Sequence, residues 1–327
     1  MKNILTALQP SGILHIGNYF GAIKPFVNLQ ENNKNYLFAV DYHAITIPQD
    51  PKALRENILF AVAVYLACGV DPHKTTIFQQ SQVPQHTELA WILNCVAHMG
   101  ELERMIQYKD KAKGKGQNVT VGLFDYPILM AADILMYDTN VVPVGHDQKQ
   151  HVELARDIAQ RFNHQFGDTF IVPDVEIQKH GARIMGLDNP QNKMSKSAPS
   201  PKNYISLMDD DKTIEKKIKS AVTDSGSEIE LNNDKPAIKN LLNIFSLVTE
   251  KPPEKIAELS KGKGYAEFKS ELAKAVIEWI TPLRDKIEET RKDEKMLIEI
   301  LNKGSQQARD VAQKKMETVR KAIGVKL

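Results

Sequence analysis

Residues 3–18, NILTALQPSGILHIGN, join an apolar run to a glycine-containing turn and decide the fold of this chain. The apolar run at residues 3–8 predicts a buried strand, and we expect a helix to begin near Tyr19. Glycine lets backbone approach an anion, and the free N–H groups of a helix N-terminus attract negative charge. The glycine spacing fits neither the dinucleotide fingerprint nor the phosphate loop, so residues 15–18 alone favour an ordinary turn.

The first 170 residues alternate short apolar runs with longer stretches of helical periodicity. This alternation predicts an α/β fold, a Rossmann-like doubly wound parallel sheet. Further strands are predicted at residues 36–40, 75–80 and 140–144. Residues 51–68 predict a helix, because apolar residues recur at helical spacing and Gly69 follows where a C-cap belongs.

Strand patterns end after Lys202, and the rest of the chain reads as helices separated by glycine, proline and asparagine. The predicted helices are residues 213–222, 238–249, 265–280 and 305–323. Prolines at 199 and 201 disfavour continued helix, so we place a boundary at residues 198–207. We expect a Rossmann-like domain at 1–205 and a second, all-helical domain at 206–304, with a last helix of about 305–327 packing back on the first domain.

The composition argues against several classes of protein: polyanion-binding, disulfide-stabilised and membrane-spanning. Charged residues make up 26% of the chain with a net charge of +2, so the surface as a whole does not indicate a polyanion-binding protein. Cys68 and Cys95 lie in apolar helical segments and are predicted to be buried, reduced thiols. Without an apolar run of membrane-spanning length or a leader, we expect a cytoplasmic protein.

Histidines do not indicate a metal site, because His43, His146 and His151 lack zinc-ligand spacing. We therefore predict no metal bound by the protein's own side chains. The other histidines are interpreted as structural: His73, His86, His98, His164 and His180. The basic, glycine-rich residues 109–117 are predicted to form a mobile surface loop, either a tolerated insertion or a loop that closes over polyphosphate or RNA.

Residues 193–197, KMSKS, are the most specific motif, because a fixed pentapeptide matches by chance in about one of ten thousand chains of this length. Two lysines three residues apart in a polar loop suit a triphosphate whose charge grows on the departing pyrophosphate. Residues 15–18 (the first signature) and 193–197 (the second signature) resemble the paired signatures of class I aminoacyl-tRNA synthetases.

Five more segments extend the resemblance over nearly the whole chain, to the compact bacterial tryptophanyl-tRNA synthetases. They are residues 41–44 (DYHA), 100–105 (GELERM), 126–135 (YPILMAADIL), 143–148 (PVGHDQ) and 181–185 (GARIM). That family joins tryptophan to tRNA(Trp) at the expense of ATP, so the resemblance implies a tryptophan–tRNA ligase that releases AMP and diphosphate.

The resemblance also implies site residues. The expected catalytic groups are His15, Asn18, Lys193 and Lys196, and Lys111 is expected to contact pyrophosphate. The expected ATP-binding residues are Gln9, Pro10, Ser11, Gly17, Asn18, Gly145, His146, Asp147, Ile184, Lys193, Met194, Ser195, Lys196 and Ser197. The expected tryptophan-binding residues are His43, Tyr126, Met130, Asp133, Val142, Val144 and Gln148, with Leu5 where a relative has an aromatic residue.

Asp133 has independent support, because a carboxylate inside an apolar helix is costly unless something pairs with it. The resemblance further implies ATP, Mg²⁺ held mainly by the polyphosphate, a homodimer, and an anticodon-reading role for the helical domain. Three alternatives stay open: a tyrosyl-tRNA synthetase, a small nucleotidyltransferase with an HxGH turn, and a non-catalytic RNA-binding relative. The intact His15 and residues 193–197 favour an enzyme.

Overall fold

The computed structural model describes residues 1–10, 12–114, 116–144, 148–177 and 183–326, and only the backbone of residues 117, 143–144 and 175–177. Its contacts divide the chain into two compact units. The sheet unit contains Met1–Gly12, Leu29–Lys179 and Asp293–Leu327, and the helical unit contains Ile13–Asn28 and His180–Lys292.

Within the described residues, the sheet has five parallel strands: β1 (Asn3–Leu8), β2 (Lys34–Ala39), β3 (Thr75–Gln79), β4 (Val141–Val144) and β5 (Asp174–Ile177). Their order is β3-β2-β1-β4-β5, so the direction of winding reverses between β1 and β4. Ligands of such sheets bind beyond the carboxyl ends of the strands near this reversal. The predicted α/β class and parallel sheet are confirmed.

The helices follow in chain order. They are α1 (Ile16–Asn18), α2 (Lys24–Leu29), α3 (Asp41–Ala44), α4 (Pro51–Ala67), α5 (Gln85–Asn94), α6 (Met99–Glu103), α7 (Ile106–Ala112), α8 (Val121–Met136), α9 (Lys149–Phe166), α10 (Asp211–Lys219), α11 (Pro236–Thr249), α12 (Pro253–Leu259), α13 (Tyr265–Lys292) and α14 (Glu294–Ala322). A π-helical turn, Tyr19–Ile23, joins α1 to α2. No helix in the described part of the chain is both long and apolar enough to cross a membrane.

The core of the sheet unit forms where aromatic residues of β2 and β3 meet the surrounding helices. Phe38 and Phe78 stack with ring centroids 5.2 Å apart, and Tyr36 stacks on Tyr137 at the end of α8. Ala308, Ala312 and Met316 of α14 are fully buried in the same cluster. A Cβ atom at Gly304 would overlap the carbonyl oxygen of Ile77, so α14 lies directly against the backbone of β3.

In the helical unit, the segment before α2 packs against α13. Trp279 of α13 stacks on Phe20, with ring centroids 4.9 Å apart, and contacts Tyr19 edge to face. Helix α13 continues past Pro282 to Lys292, further than the predicted end at residue 280.

Several local predictions are wrong. The first helix begins at Ile16 rather than near Tyr19, because Asn18 Oδ1 accepts the backbone N–H of His15 and fixes a tight helical start. Residues 109–112 belong to α7 instead of a loop, and Lys115 lies outside the described residues. Cys95 is exposed and Cys68 only partly buried.

Other differences concern element limits. Helix α14 begins at Glu294, because Asp293 caps it by accepting the backbone N–H of Met296 at 2.9 Å. Strand β5 was not predicted, since its four residues include two carboxylates. The compact units divide the chain at other points than the expected domains 1–205 and 206–304, and the domain assignment stays a prediction.

Candidate active site

The first signature is held in the helical unit by backbone hydrogen bonds to a segment far along the chain. The N–H of Ile16 donates to the carbonyl of Ile205 at 3.0 Å, and that of Leu207 donates to Leu14 at 2.9 Å. His15 lies between these bonds and is only 4% exposed. The backbone on both sides of His15 is therefore fixed, and its ring is buried.

The second signature lies in the same unit and is also anchored through its backbone. Buried Met194 donates its N–H to the carbonyl of Ile184 at 3.0 Å, and Ser195 donates to Asn203 Oδ1 at 2.9 Å. The structure thus brings Ile184, expected near the adenine, beside residues 193–197. Lys196 is half-buried and Lys193 is exposed.

Gly17 is the point where the two signatures meet. A Cβ atom at Gly17 would lie 2.9 Å from Nδ1 of His15 and 3.6 Å from Cβ of Met194. The first distance is shorter than side chains tolerate, so only glycine allows the His15 ring its position. A motif that is weak in the sequence becomes a packed contact in the structure.

His15 is held neutral at physiological pH. Burial, followed by the positive charges of Lys193 and Lys196, lowers the pKa of His15 to about 4. Its buried Nδ1 has no hydrogen-bond partner within the described residues. Burial also lowers the pKa of Lys196. A neutral imidazole beside two lysines suits a ligand that brings its own negative charge.

A second cluster surrounds Asp133 in the sheet unit. The carboxylate is 2% exposed, and its Oδ2 lies 2.8 Å from His43 Nε2. Its Oδ1 lies 2.6 Å from His86 Nδ1 and 2.9 Å from Gln80 Nε2. Burial alone would raise the pKa of Asp133, but hydrogen bonds from the two histidines outweigh burial and lower it to about 2. The group is a buried, ionised acceptor.

The other expected tryptophan-binding residues lie on the same unit. The ring of Tyr126 stands edge to face with His43, at 6.3 Å between centroids, and its hydroxyl lies 2.8 Å from His151 Nε2. Met130 is half-buried against the core that contains Val142 and Leu5. Val144 ends β4, Gln148 precedes α9, and the ammonium of Lys111 lies 4.7 Å from the centroid of the Tyr126 ring.

Other expected ATP-binding residues lie just beyond β1, and their role stays a prediction. Gln9 is exposed and Pro10 buried just beyond β1. Gly12 has a φ of +71°, and a Cβ there would meet the side-chain oxygen of Asn57 at 2.6 Å. The remaining predicted positions, Ser11, Gly145, His146 and Asp147, lie outside the described residues.

Three residues of the Asp133 cluster were missed or set aside at the sequence level: Gln80, His86 and Tyr137. His86 was interpreted as structural, yet it is completely buried and bonded to Asp133. A signal for Gln80 existed, because it directly follows β3 at the carboxyl edge of the sheet, where ligands bind.

Comparison with known proteins identifies the family of this chain. The family model described as "tRNA synthetases class I (W and Y)" matches residues 2–281. The chain is 52% identical to the tryptophan–tRNA ligase of Halalkalibacterium halodurans, over 99% of this chain and 98% of that protein. The tryptophan–tRNA ligase of Bacillus anthracis is also 52% identical, with the same coverage.

Solved structures give the same result. The tryptophanyl-tRNA synthetase of Mycoplasma pneumoniae superposes with a TM-score of 0.90 at 33% identity, covering 100% of this chain and 98% of that one. The enzyme of Campylobacter jejuni complexed with ADP and tryptophan has a TM-score of 0.86 at 42% identity, covering 98% and 99%. The family match spans most of the chain, and this protein therefore belongs to the class I tRNA synthetases of the tryptophan and tyrosine group.

Proposed function

We propose that this chain is a tryptophan–tRNA ligase. It activates L-tryptophan with ATP to tryptophanyl-adenylate and diphosphate, then transfers the tryptophanyl group to tRNA(Trp) and releases AMP. The curated relatives of this name, similar over their whole length, support the assignment. The single structural observation that carries it is the ionised Asp133, buried at the end of an otherwise apolar helix face.

Asp133 accepts the indole N–H of tryptophan in this proposal. A site built around such an acceptor rejects a substrate without the donor by about 10⁴- to 10⁵-fold, because the acceptor is left unpaired. Phenylalanine lacks the donor. Tyrosine brings a hydroxyl, and its rejection rests on ring length and packing against Met130, Val142 and Val144. His43, Tyr126 and Gln148 complete the pocket.

ATP is bound by the two signatures. The ADP complex of the Campylobacter jejuni relative supports a nucleotide in this fold. Gln9, Pro10, Ser11, Gly17 and Asn18 form the first contact region, and the second is formed by Ile184 with Lys193, Met194, Ser195, Lys196 and Ser197. Gly145, His146 and Asp147 hold the ribose.

In the first step, the tryptophan carboxylate attacks the α-phosphorus and the bond to the diphosphate oxygen breaks. Negative charge grows on the leaving diphosphate, and Lys193 and Lys196 stabilise it. Neutral His15 and the Asn18 amide hold the phosphate oxygens by hydrogen bonds. In the second step, a terminal ribose hydroxyl of tRNA attacks the acyl carbon and AMP leaves.

Mg²⁺ enters the proposal as an ion carried by the polyphosphate of ATP. The described ranges contain no group of three histidine, cysteine or carboxylate side chains that could hold a metal. Magnesium is commonly held by substrate phosphates and water, so no step is assigned to the ion.

The tRNA partner and the assembly are part of the same proposal. Residues 206–304 form the anticodon-reading domain and residues 1–205 the catalytic domain. Exposed lysines of α10 contact RNA phosphates: Lys212, Lys216 and Lys219. The chain acts as a homodimer. We place it in the cytoplasm, since both cysteines are thiols rather than a disulfide.

ATP–pyrophosphate exchange with each of the twenty amino acids tests the function. We expect exchange with tryptophan alone, and Asp133→Ala should raise KM for tryptophan and narrow its advantage over phenylalanine while KM for ATP changes little. Faster exchange with tyrosine than with tryptophan would contradict the proposal and would assign the chain to the tyrosyl-tRNA synthetases of the same family.

A further inference from the structure

A buried chain of hydrogen bonds runs from Asp133 through His86 to Tyr137. His43, the more accessible partner of Asp133, is not part of this chain. Nδ1 of His86 lies 2.6 Å from Asp133 Oδ1, and Nε2 of the same ring lies 2.7 Å from the Tyr137 hydroxyl. All three residues are at most 2% exposed. The side chain of His43, which bonds to Oδ2, is 17% exposed.

The direction of each bond follows from what each group can donate. An ionised carboxylate only accepts, so His86 Nδ1 carries a hydrogen and donates it to Asp133. In the described part of the chain, the Tyr137 hydroxyl bonds to His86 alone. Donation of its hydrogen to Nε2 pairs the hydroxyl with the ring nitrogen opposite Nδ1.

Gln80, which is also fully buried, is a third partner of the Asp133 carboxylate. Its Nε2 donates to both oxygens of Asp133, at 2.9 and 3.0 Å. Oδ1 thus has two fully buried partners, His86 and Gln80. Oδ2 has Gln80 and His43, so it is the oxygen on the side of the partly exposed residue.

We infer that His86 is a positioning residue for substrate selection: its Nδ1–H, fixed by Tyr137, orients Asp133 so that Oδ2 meets the indole N–H. The inference rests on the proposed function and extends it to a residue that does not touch the substrate. Tyr137, at the far end of the hydrogen-bond chain, is held by stacking on Tyr36, with ring centroids 4.6 Å apart.

The consequence is a loss of selectivity when the His86 donor is removed. Loss of a hydrogen bond to a charged group corresponds to about a 10- to 100-fold effect on binding. His86→Leu should therefore lower kcat/KM for tryptophan by about 10- to 100-fold, mainly through KM. His86→Asn, whose amide can replace the Nδ1 donor, should restore most of it.

The decisive readout is the preference for tryptophan over β-(3-benzothienyl)alanine, in which sulfur replaces the indole N–H. Pyrophosphate exchange with the full-length protein gives kcat/KM for both. We expect the preference to fall about 10-fold or more in His86→Leu and to recover in His86→Asn. A merely structural role would lower stability and both rates together and leave the ratio unchanged.

Tyr137→Phe is the second variant, because it keeps the ring volume and is expected to fold. Loss of a neutral hydrogen bond predicts a fall in the preference of about 2- to 10-fold. Tyr65→Phe, in another buried tyrosine on α4, is the matched control and should leave the ratio unchanged. An unaltered ratio in Tyr137→Phe and in every folded His86 variant overturns the inference. Absence of tryptophan-dependent exchange in the unmodified protein overturns the proposed function instead.

Discussion

Gly17 shows how the absence of one side chain allows the position of His15, a proposed catalytic group. Because a Cβ there would lie 2.9 Å from His15 Nδ1, Gly17→Ala must displace the His15 ring. Misplacement of a catalytic group by about 1 Å costs about 10²-fold in rate. We expect a fall of this order in pre-steady-state adenylate formation, with a much smaller change in ATP affinity.

Gly122→Ala is the control for this substitution, since a Cβ at Gly122 meets nothing within 4 Å. It should leave adenylate formation unchanged. An unaltered rate in Gly17→Ala would remove the His15 ring from the mechanism.

His15 also predicts how stability depends on pH. Its pKa is about 4 in the folded protein, below the ordinary histidine value of 6.5, so between these values the unfolded chain binds a proton that the folded chain does not. Stability must therefore fall as pH decreases through this window, by about 2 kcal/mol at pH 5. Above pH 6.5 both states leave His15 unprotonated, and its contribution to the pH dependence of stability disappears.

Urea unfolding of the unmodified protein and of His15→Asn, at pH 7 and pH 5, measures this contribution. The carboxylates titrate in both proteins and cancel in the difference. If the two proteins lose the same free energy of unfolding on acidification, His15 is protonated in the folded state and the electrostatic account of the site is wrong.

Helix α14 and strand β3 illustrate packing that depends on one glycine. Gly304→Ala places a methyl group on the carbonyl oxygen of Ile77, and neither backbone can move without disturbing the sheet. Overpacking of this kind costs about 1–3 kcal/mol or more. Thermal unfolding should show a clearly lowered Tm. Gly122→Ala is the control, because Gly122 is also helical but a Cβ there contacts no other atom, and its Tm should be unchanged or raised. An unchanged Tm for Gly304→Ala would mean that α14 does not pack against the backbone of β3.

At the level of the assembly, the sheet unit exposes apolar side chains on neighbouring helices. Trp91, Met99 and Val121 are 71%, 65% and 80% exposed, and Asn94 bonds to Asp125 at 3.0 Å where α5 meets α8. Large exposed apolar patches mark interaction sites. We expect a second copy of the chain to cover this one.

Light scattering should then give about twice the chain mass of 36.8 kDa. Trp91→Glu, which places a charge in the patch, should reduce the mass to that of one chain, while Leu259→Glu, at another exposed apolar residue, should not. A dimer that persists in Trp91→Glu would place the interface elsewhere.

The sequence by itself determined the fold class, the two signatures and Asp133 as a candidate acceptor. These depend on local patterns: an apolar run that fits β1, a pentapeptide of low chance frequency, and a carboxylate in an apolar helix. Strand β5 was missed because its polar and apolar residues alternate over only four positions, the shortest length at which such a pattern indicates a strand.

Tertiary structure alone decided which distant residues meet. His86 carries no local sign of function, and only the folding of α5 against α8 brings its ring to Asp133. Gly17 and Met194 approach each other because residues 205–207 pair with the first signature. Such contacts join segments separated by tens to hundreds of residues, and local periodicity contains no information about them. The pKa of His15 follows for the same reason, since burial and two distant lysines set it together.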